Sequence, residues 1–172
     1  MIACLLVSAV LFQNIAVSVG FGPAVWTGKM FDNYCVGNDI SFSASWKTIE
    51  LDYTNANFIG RTTVNDRISS WQIGVTFYKN ILQNNRRTFQ MGIGTAYWII
   101  NRSYNTAHEK GGLLGLKYTL NFEFPLSGKK MIALTTRIAI NELLESRICN
   151  SLLLIHSQTL LITNVGIKLK LK

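Results

Sequence analysis

The sequence predicts an all-β chain, an eight-stranded antiparallel up-and-down transmembrane β-barrel, and three observations carry that expectation. Apolar residues recur with period two over nearly the whole length from Ile15 onward, the spacing of a strand with one apolar face. The breaks in the pattern give an even number of strands, with connections that alternate between long and short. The face opposite the apolar one is small and polar, and only 15% of the residues are charged, well under the share of about a quarter usual in soluble domains. Other classes are excluded. No unbroken apolar run reaches the ~18 residues of a spanning helix. Three cysteines make no disulfide framework, and a 48% apolar content is not that of a disordered chain.

The elements follow in order. Residues 2–12 are uncharged and apolar, the size of a signal-peptide core, closed by Gln13 and Asn14 with the small Ala16 available for cleavage. Residues 1–16 therefore read as a signal peptide lacking its basic leading segment, and residues 17–172 as a single barrel domain. The alternative, an anchor helix running on toward Trp26, is broken by Gly20, Gly22 and Pro23. The first strand spans 15–26, with Ser18, Gly20, Gly22 and Ala24 on its small face. The second, 39–46, sets Ser41, Ser43 and Ser45 on that face, and the third, 49–57, sets Glu50 and Asp52 there. Residues 39–57 can be two strands turning at Lys47-Thr48 or one long bent strand, and only the first keeps the count even. In the fourth strand, 70–81, Trp71, Ile73, Val75 and Phe77 oppose Gln72, Gly74 and Thr76. In the fifth, 88–104, Phe89, Met91, Ile93, Tyr97 and Ile99 oppose Gln90, Gly92, Gly94 and Ala96. The sixth, 111–126, is the clearest: Leu114, Leu116, Tyr118, Leu120, Phe122, Phe124 and Leu126 share one face, and Gly115, Lys117, Thr119, Asn121 and Glu123 the other. The seventh, 131–143, carries Arg137. The eighth, 158–171, sets Leu161, Val165, Ile167, Leu169 and Leu171 against Asn164, Gly166, Lys168 and Lys170.

Alternation by itself does not say which face is inside. A soluble lipocalin-type barrel would point the apolar set inward and cover its outer face with Lys and Glu. Here the second face is small, which suits the crowded interior of a barrel of this size. Its charges, Glu50, Asp52, Lys117, Glu123 and Arg137, carry both signs, as a closed interior requires. They are expected to form one compensated interior network, with Glu50 and Asp52 facing Arg137 across the barrel and Lys117 joining from the side. Outward aromatics gather at the two strand ends: Trp46, Phe77, Phe89, Phe122 and Phe124 near the short turns, Tyr53, Trp71 and Tyr97 near the long loops. Two such belts mark membrane interfaces.

On the dyad repeat, the opening Val17-Ser-Val-Gly-Phe-Gly-Pro-Ala-Val-Trp26 and the amphipathic closing segment 160–172, the chain resembles the small eight-stranded bacterial outer-membrane barrels, those like OmpX and the transmembrane domain of outer-membrane protein A. The resemblance covers 15–172 and is architectural. It implies residence in the bacterial outer membrane, contact with outer-membrane lipids, insertion by the barrel-assembly machinery, a monomer, and loops that meet an extracellular partner. The chain departs from those barrels in ending Lys-Leu-Lys where they carry a final aromatic residue, and in Pro23 within the first strand, a position that suggests a bulge.

Motifs for chemistry are sparse. No phosphate-binding loop occurs, and His108 and His156 lack metal-ligand spacing, so neither a metal nor a cofactor is expected. His156-Ser157 is contiguous, unlike the His-x-Ser of lipid-A deacylases. A non-enzymatic structural or surface-interaction role without a large-solute pore is thus preferred. A secreted lipocalin-like binder of a small apolar ligand stands second, and an outer-membrane acyl hydrolase third. The net charge of +8 has an address rather than a nucleic-acid patch: Lys47, Lys79, Arg86, Arg87, Lys129, Lys130, Lys168, Lys170 and Lys172 fall at the short-turn end, where anionic head groups would lie. With the signal removed, Cys35 and Cys149 remain, expected in loops that closure of the barrel brings together. They either form a disulfide or stay as two small apolar residues.

Overall fold

The computed structural model describes residues 15–27, 34–60, 66–84, 86–104, 107–126, 131–143, 146–147, 154–155 and 158–171. Its strands are β1 (Ile15–Thr27), β2 (Tyr34–Trp46), β3 (Ile49–Gly60), β4 (Asp66–Gln83), β5 (Thr88–Tyr104), β6 (Ala107–Pro125), β7 (Ile132–Leu143), β8 (Ser146–Arg147), β9 (Leu154–Ile155) and β10 (Gln158–Lys170). Eight of them, β1 to β7 and β10, pair antiparallel with their chain neighbours, and β1 pairs with β10 to close a barrel. At the seam Val19 stands opposite Ile167 and Ser18 opposite Lys168. The short strands β8 and β9 form a separate ladder, Ser146 opposite Ile155, within the connection from β7 to β10. Among the described residues no helix is long and apolar enough to cross a membrane, and crossing would fall to the strands.

Burial alternates along each strand as a period-two sequence demands. On β7 every second residue from Ala133 to Leu143 is buried. The outward set is large and apolar, with Phe21, Ile73, Phe77, Ile93, Tyr97 and Leu114 all more than half exposed. A barrel in water would place that surface inside, because exposed apolar patches beyond a few hundred Å² cause association. In lipid the outward face carries no such cost. The sidedness is therefore apolar out and polar in.

Several boundaries differ from the sequence expectation. Residues 39–57 form two strands, β2 and β3, across a turn at Lys47-Thr48, where Lys47 adopts φ 54 and its ammonium lies 4.8 Å from the centre of the Trp46 ring. The long connections are shorter than the hydropathy pattern suggests, because polar residues continue the ladders. β4 starts at Asp66, and the β5–β6 hairpin stays paired to Tyr104 and Ala107, so only 105–106 link those strands. His108 thus lies on β6, ahead of the expected start of the sixth strand at 111. β2 likewise starts at Tyr34, which puts Cys35 on a strand, beside a register shift between Tyr34 and Gly37. Cys149, His156 and Ser157 lie outside the described residues, as do residues 1–14. β1 starts at Ile15, and Ala16 pairs with Lys170, so Ile15 and Ala16 belong to the barrel.

Pro23 makes no bulge. The ladder to β10 lapses at Gly22 and Pro23, yet Phe21 opposite Val165 and Ala24 opposite Ile162 keep one register. Gly22 explains how the strands stay together there: a Cβ on it would sit 2.0 Å from the Thr163 carbonyl oxygen. The missing side chain lets β1 press against β10 where proline offers no N–H.

The even-numbered positions of β6 around Leu120 are expected to contact lipid and Thr119 to face the lumen. Leu120→Arg should cost ~2–4 kcal/mol if it lies near the bilayer midplane. Nitroxide labels at 114, 116, 118 and 120 should be reached by a lipid-soluble relaxation agent, and a label at 119 should be shielded; the opposite pattern would reverse the sidedness.

Candidate functional site

The lumen is the place where this fold gathers polar chemistry, and it has two halves. Toward the end where β2 turns into β3 it holds ion pairs. Toward the other end it is apolar.

Two ion pairs cross the lumen from β3. The Lys117 ammonium donates to Asp52 Oδ1 at 2.5 Å, and Arg137 Nη2 donates to Glu50 Oε2 at 2.8 Å. All four residues are buried. Neutral donors add to each carboxylate: Gln72 Nε2 donates to Asp52 Oδ2 at 2.8 Å, and the Tyr78 hydroxyl donates to Glu50 Oε1 at 3.2 Å. Both carboxylates therefore accept on two oxygens, the condition under which a buried pair offsets its desolvation.

The reach of Lys117 has a cause in sequence. Asp52 stands opposite Gly74 on β4, Gly74 opposite Ala96 on β5, and Ala96 opposite Gly115 on β6. This floor of small residues leaves the lysine stem a path across β4 and β5. Gly74 is the tightest point, since a Cβ there would lie 2.9 Å from Asp52 Oδ1.

Glu123 stands apart from these two pairs. It accepts from Lys168 at 2.5 Å and Lys170 at 3.2 Å, near the β1–β10 seam. The single network drawn from sequence is thus corrected to two crossing pairs and one separate cluster. Lys168, assigned from sequence to the basic rim, is a buried lumen residue. Strand parity was the signal available: Lys168 alternates with the outward Ile167 and Leu169. Asp39, which the sequence reading did not count among the interior charges, is buried on β2 and accepts from Asn164 Nδ2 at 3.2 Å, while the same nitrogen donates to Ser41 Oγ at 2.8 Å.

The apolar half went unread in the sequence. Trp26, Phe58, Ile68, Trp98, Ile100, Leu113, Leu143, Leu160 and Ile162 are all buried and form one cluster with Ala24, Ala56, Ala96 and Ala139. Trp26 and Phe58 meet edge to face, centroids 5.4 Å apart. These residues occupy the inward positions at the strand ends that lead into 28–33, 61–65, 105–106 and 144–157. Along 97–100, 113–114 and 160–162 both faces are apolar, so the alternation fades and hides which side each residue takes, while Phe58 and Ile68 sit among polar neighbours that read as loop. Among the described residues no cluster of His, Cys, Asp and Glu could hold a metal ion.

Antiparallel closure, eight strands, an apolar outside and a polar, filled inside together define the fold of the small outer-membrane β-barrels. Solved structures of that class are similar to the chain. Neisserial surface protein A superposes with a TM-score of 0.67 at 8% identity, covering 91% of this chain and 97% of that one. OprG from Pseudomonas aeruginosa gives 0.60 at 10% identity over 92% and 96%, and Ail, the attachment invasion locus protein of Yersinia pestis, 0.55 at 9% over 92% and 99%. No protein-family model and no curated protein sequence matches the chain.

Arg137→Ala should destabilise the folded barrel by ~3–5 kcal/mol, because Glu50 would stay buried without its partner. Adding Glu50→Gln should recover part of that loss. Unfolding in detergent, followed by band shift on unheated gels, measures both; an unchanged midpoint for Arg137→Ala would mean that the pair is screened by water.

Proposed function

We propose that the chain is a non-enzymatic protein of the bacterial outer membrane, a lipid-embedded barrel that presents its outer connections to the exterior and passes no large solute. The observation that carries this is the filled lumen: Trp98 and Leu160 are 0% exposed and Phe58 1%, at the half of the barrel leading to the longer connections. Eight strands enclose only enough space for side chains, and here aromatic rings take it. The chain turns at Lys47-Thr48 and 84–87 on the side where β1 begins, which by analogy with outer-membrane barrels is the periplasmic side. The apolar cluster then faces outward and the ion pairs lie beneath it.

Outer-membrane lipids are the constant partner in this reading, the barrel-assembly machinery inserts a monomer, and an extracellular partner meets the outer connections. One neighbour in fold is named for attachment and invasion, which agrees with a surface-interaction role. The lipocalin-like reading loses support from the outward apolar band and from the rings that fill the apolar half of the lumen. Cys35, at the start of β2, and Cys149, between β7 and β10 in the chain, remain a proposed disulfide, decided by mass spectrometry of the non-reduced protein.

Purified protein is expected to need detergent for extraction, to migrate differently on gels with and without heating, and to show no stepwise conductance in planar bilayers. Trp98→Ala should cost ~3–5 kcal/mol through the cavity it leaves. Regular ohmic steps from the unaltered protein would overturn the closed-lumen reading, and extraction in buffer alone would overturn the membrane reading.

A further inference from the structure

The outward wall of β3 to β6 does not end where the aromatic belt ends. On each of these strands the apolar outward positions give way to polar ones one step farther from the turn at Lys47-Thr48. On β4 Ile73 and Trp71 are followed by Ser69 and Arg67. On β5 Tyr97 and Ile99 are followed by Asn101 and Ser103, and on β6 Leu114 and Gly112 by Lys110 and His108. The cross-strand register aligns them: Arg67 opposite Ser103, Ser103 opposite His108, and Asn101 opposite Lys110. The extended β5–β6 hairpin is what lifts this wall above the belt.

These side chains line a cleft of about 730 Å³ that also takes in Asn57 and Ile59 of β3. Arg67, His108 and Lys110 are exposed in it, and among the described side chains the cleft contains no carboxylate. Arg67 and His108 are two strands apart, roughly 10 Å at the ~4.8 Å spacing of neighbouring strands, with a serine between them. An anionic group seated there meets the Arg67 guanidinium on one side and the His108 ring and Lys110 ammonium on the other, and arginine is suited to phosphate by its planar fork. The amides of Asn57 and Asn101 and the hydroxyls of Ser69 and Ser103 offer donors and acceptors to a polyhydroxyl ring. Ile59, 63% exposed, lies in the same cleft, and Tyr97 lies just below it across Gly112, where a Cβ would strike the tyrosine hydroxyl at 2.1 Å.

We propose that this cleft binds a phosphorylated, multiply acylated glycolipid of the outer leaflet, with Arg67, His108 and Lys110 on its phosphate, Asn57, Asn101 and the serines on its sugar, and the belt of Trp71, Ile73 and Tyr97 along its acyl chains. The occupant follows from two properties of the surface. The charged side chains described in it are all basic, and it runs without a break into a lipid-facing band, so its complement is an amphiphile with an anionic head. A soluble polyanion would meet the cations but not Ile59, the exposed apolar side chain inside the cleft itself. The inference rests on the outer-membrane reading and on the outward direction of this end of the barrel.

The test uses the full-length barrel in phosphatidylcholine nanodiscs, with lipid A, dephosphorylated lipid A, inorganic phosphate and a sulfated polysaccharide as probes, and native mass spectrometry as readout. Lipid A should be retained, and Arg67→Gln with Lys110→Gln should lower its retention about tenfold or more, since two charge-assisted contacts are lost. Dephosphorylated lipid A should be retained as poorly by the unaltered protein. Lys79→Gln with Arg86→Gln, at the opposite rim, should leave retention unchanged. Equal retention by all variants, or capture of inorganic phosphate or the polysaccharide as strong as that of lipid A, would overturn the proposal. Each sample is also run on heated and unheated gels. A folded barrel that does not discriminate sinks the glycolipid site alone, whereas a protein that never shows the barrel shift and stays soluble sinks the membrane reading with it.

Discussion

Everything in this molecule depends on the rule that lipid offers no hydrogen bonds. Backbone N–H and C=O groups within the bilayer must pair with one another, and a sheet can do that throughout only by closing on itself. The pairing of β1 with β10 is thus the condition for the whole structure. It also explains the tolerance shown at Gly22 and Pro23. The proline removes a donor beside the seam, and the bare glycine next to it keeps the strands close enough for the register to resume unchanged.

Closure then sorts the side chains. The outside must be apolar through the membrane, so polar groups can go only into the lumen or beyond the belts. In the lumen Glu50, Asp52 and Glu123 each meet a basic partner, because a lone buried charge is far more costly than a matched one. Lys117 with Asp52 and Arg137 with Glu50 tie β3 to β6 and β7 across the interior, which hydrogen-bonded ladders alone do not do. Lys168 with Glu123 serves β10 and β6 in the same manner. Beyond the belts, the polar residues of β4, β5 and β6 remain in the ladder rather than breaking into loops, and so present a wall of fixed geometry.

The division of the lumen has a mechanical sense. Charged pairs hold the half near the short turns, and packed rings hold the half near the longer connections, where Trp26, Phe58 and Trp98 exclude water. A barrel filled in this way is a rigid support. Variation in the connections that follow β1, β3, β5 and β7 need not disturb the packing beside them.

Period-two patterning was enough to establish the strand class and to set Glu50, Asp52, Lys117 and Arg137 on the face opposite the apolar one, because strand geometry sends alternate side chains to opposite faces; whether 39–57 is one strand or two was left to the structure. Small residues on one face were enough to say that this face is inside. What the pattern could not supply was partner choice and the ends of strands. Lys117 finds Asp52 only because Gly74, Ala96 and Gly115 happen to lie between them on neighbouring strands, and Glu123 finds Lys168 because closure sets β10 near β6 through β7. Trp98 escaped notice since an inward apolar residue between the outward Tyr97 and Ile99 leaves no alternation to detect, and Ile100 and Leu113 each adjoin one outward apolar residue with the same effect. The wall that carries Arg67, His108 and Lys110 was hidden for a related reason: polar residues read as loop until cross-strand pairing holds them in a sheet, and that pairing exists only once the barrel has formed.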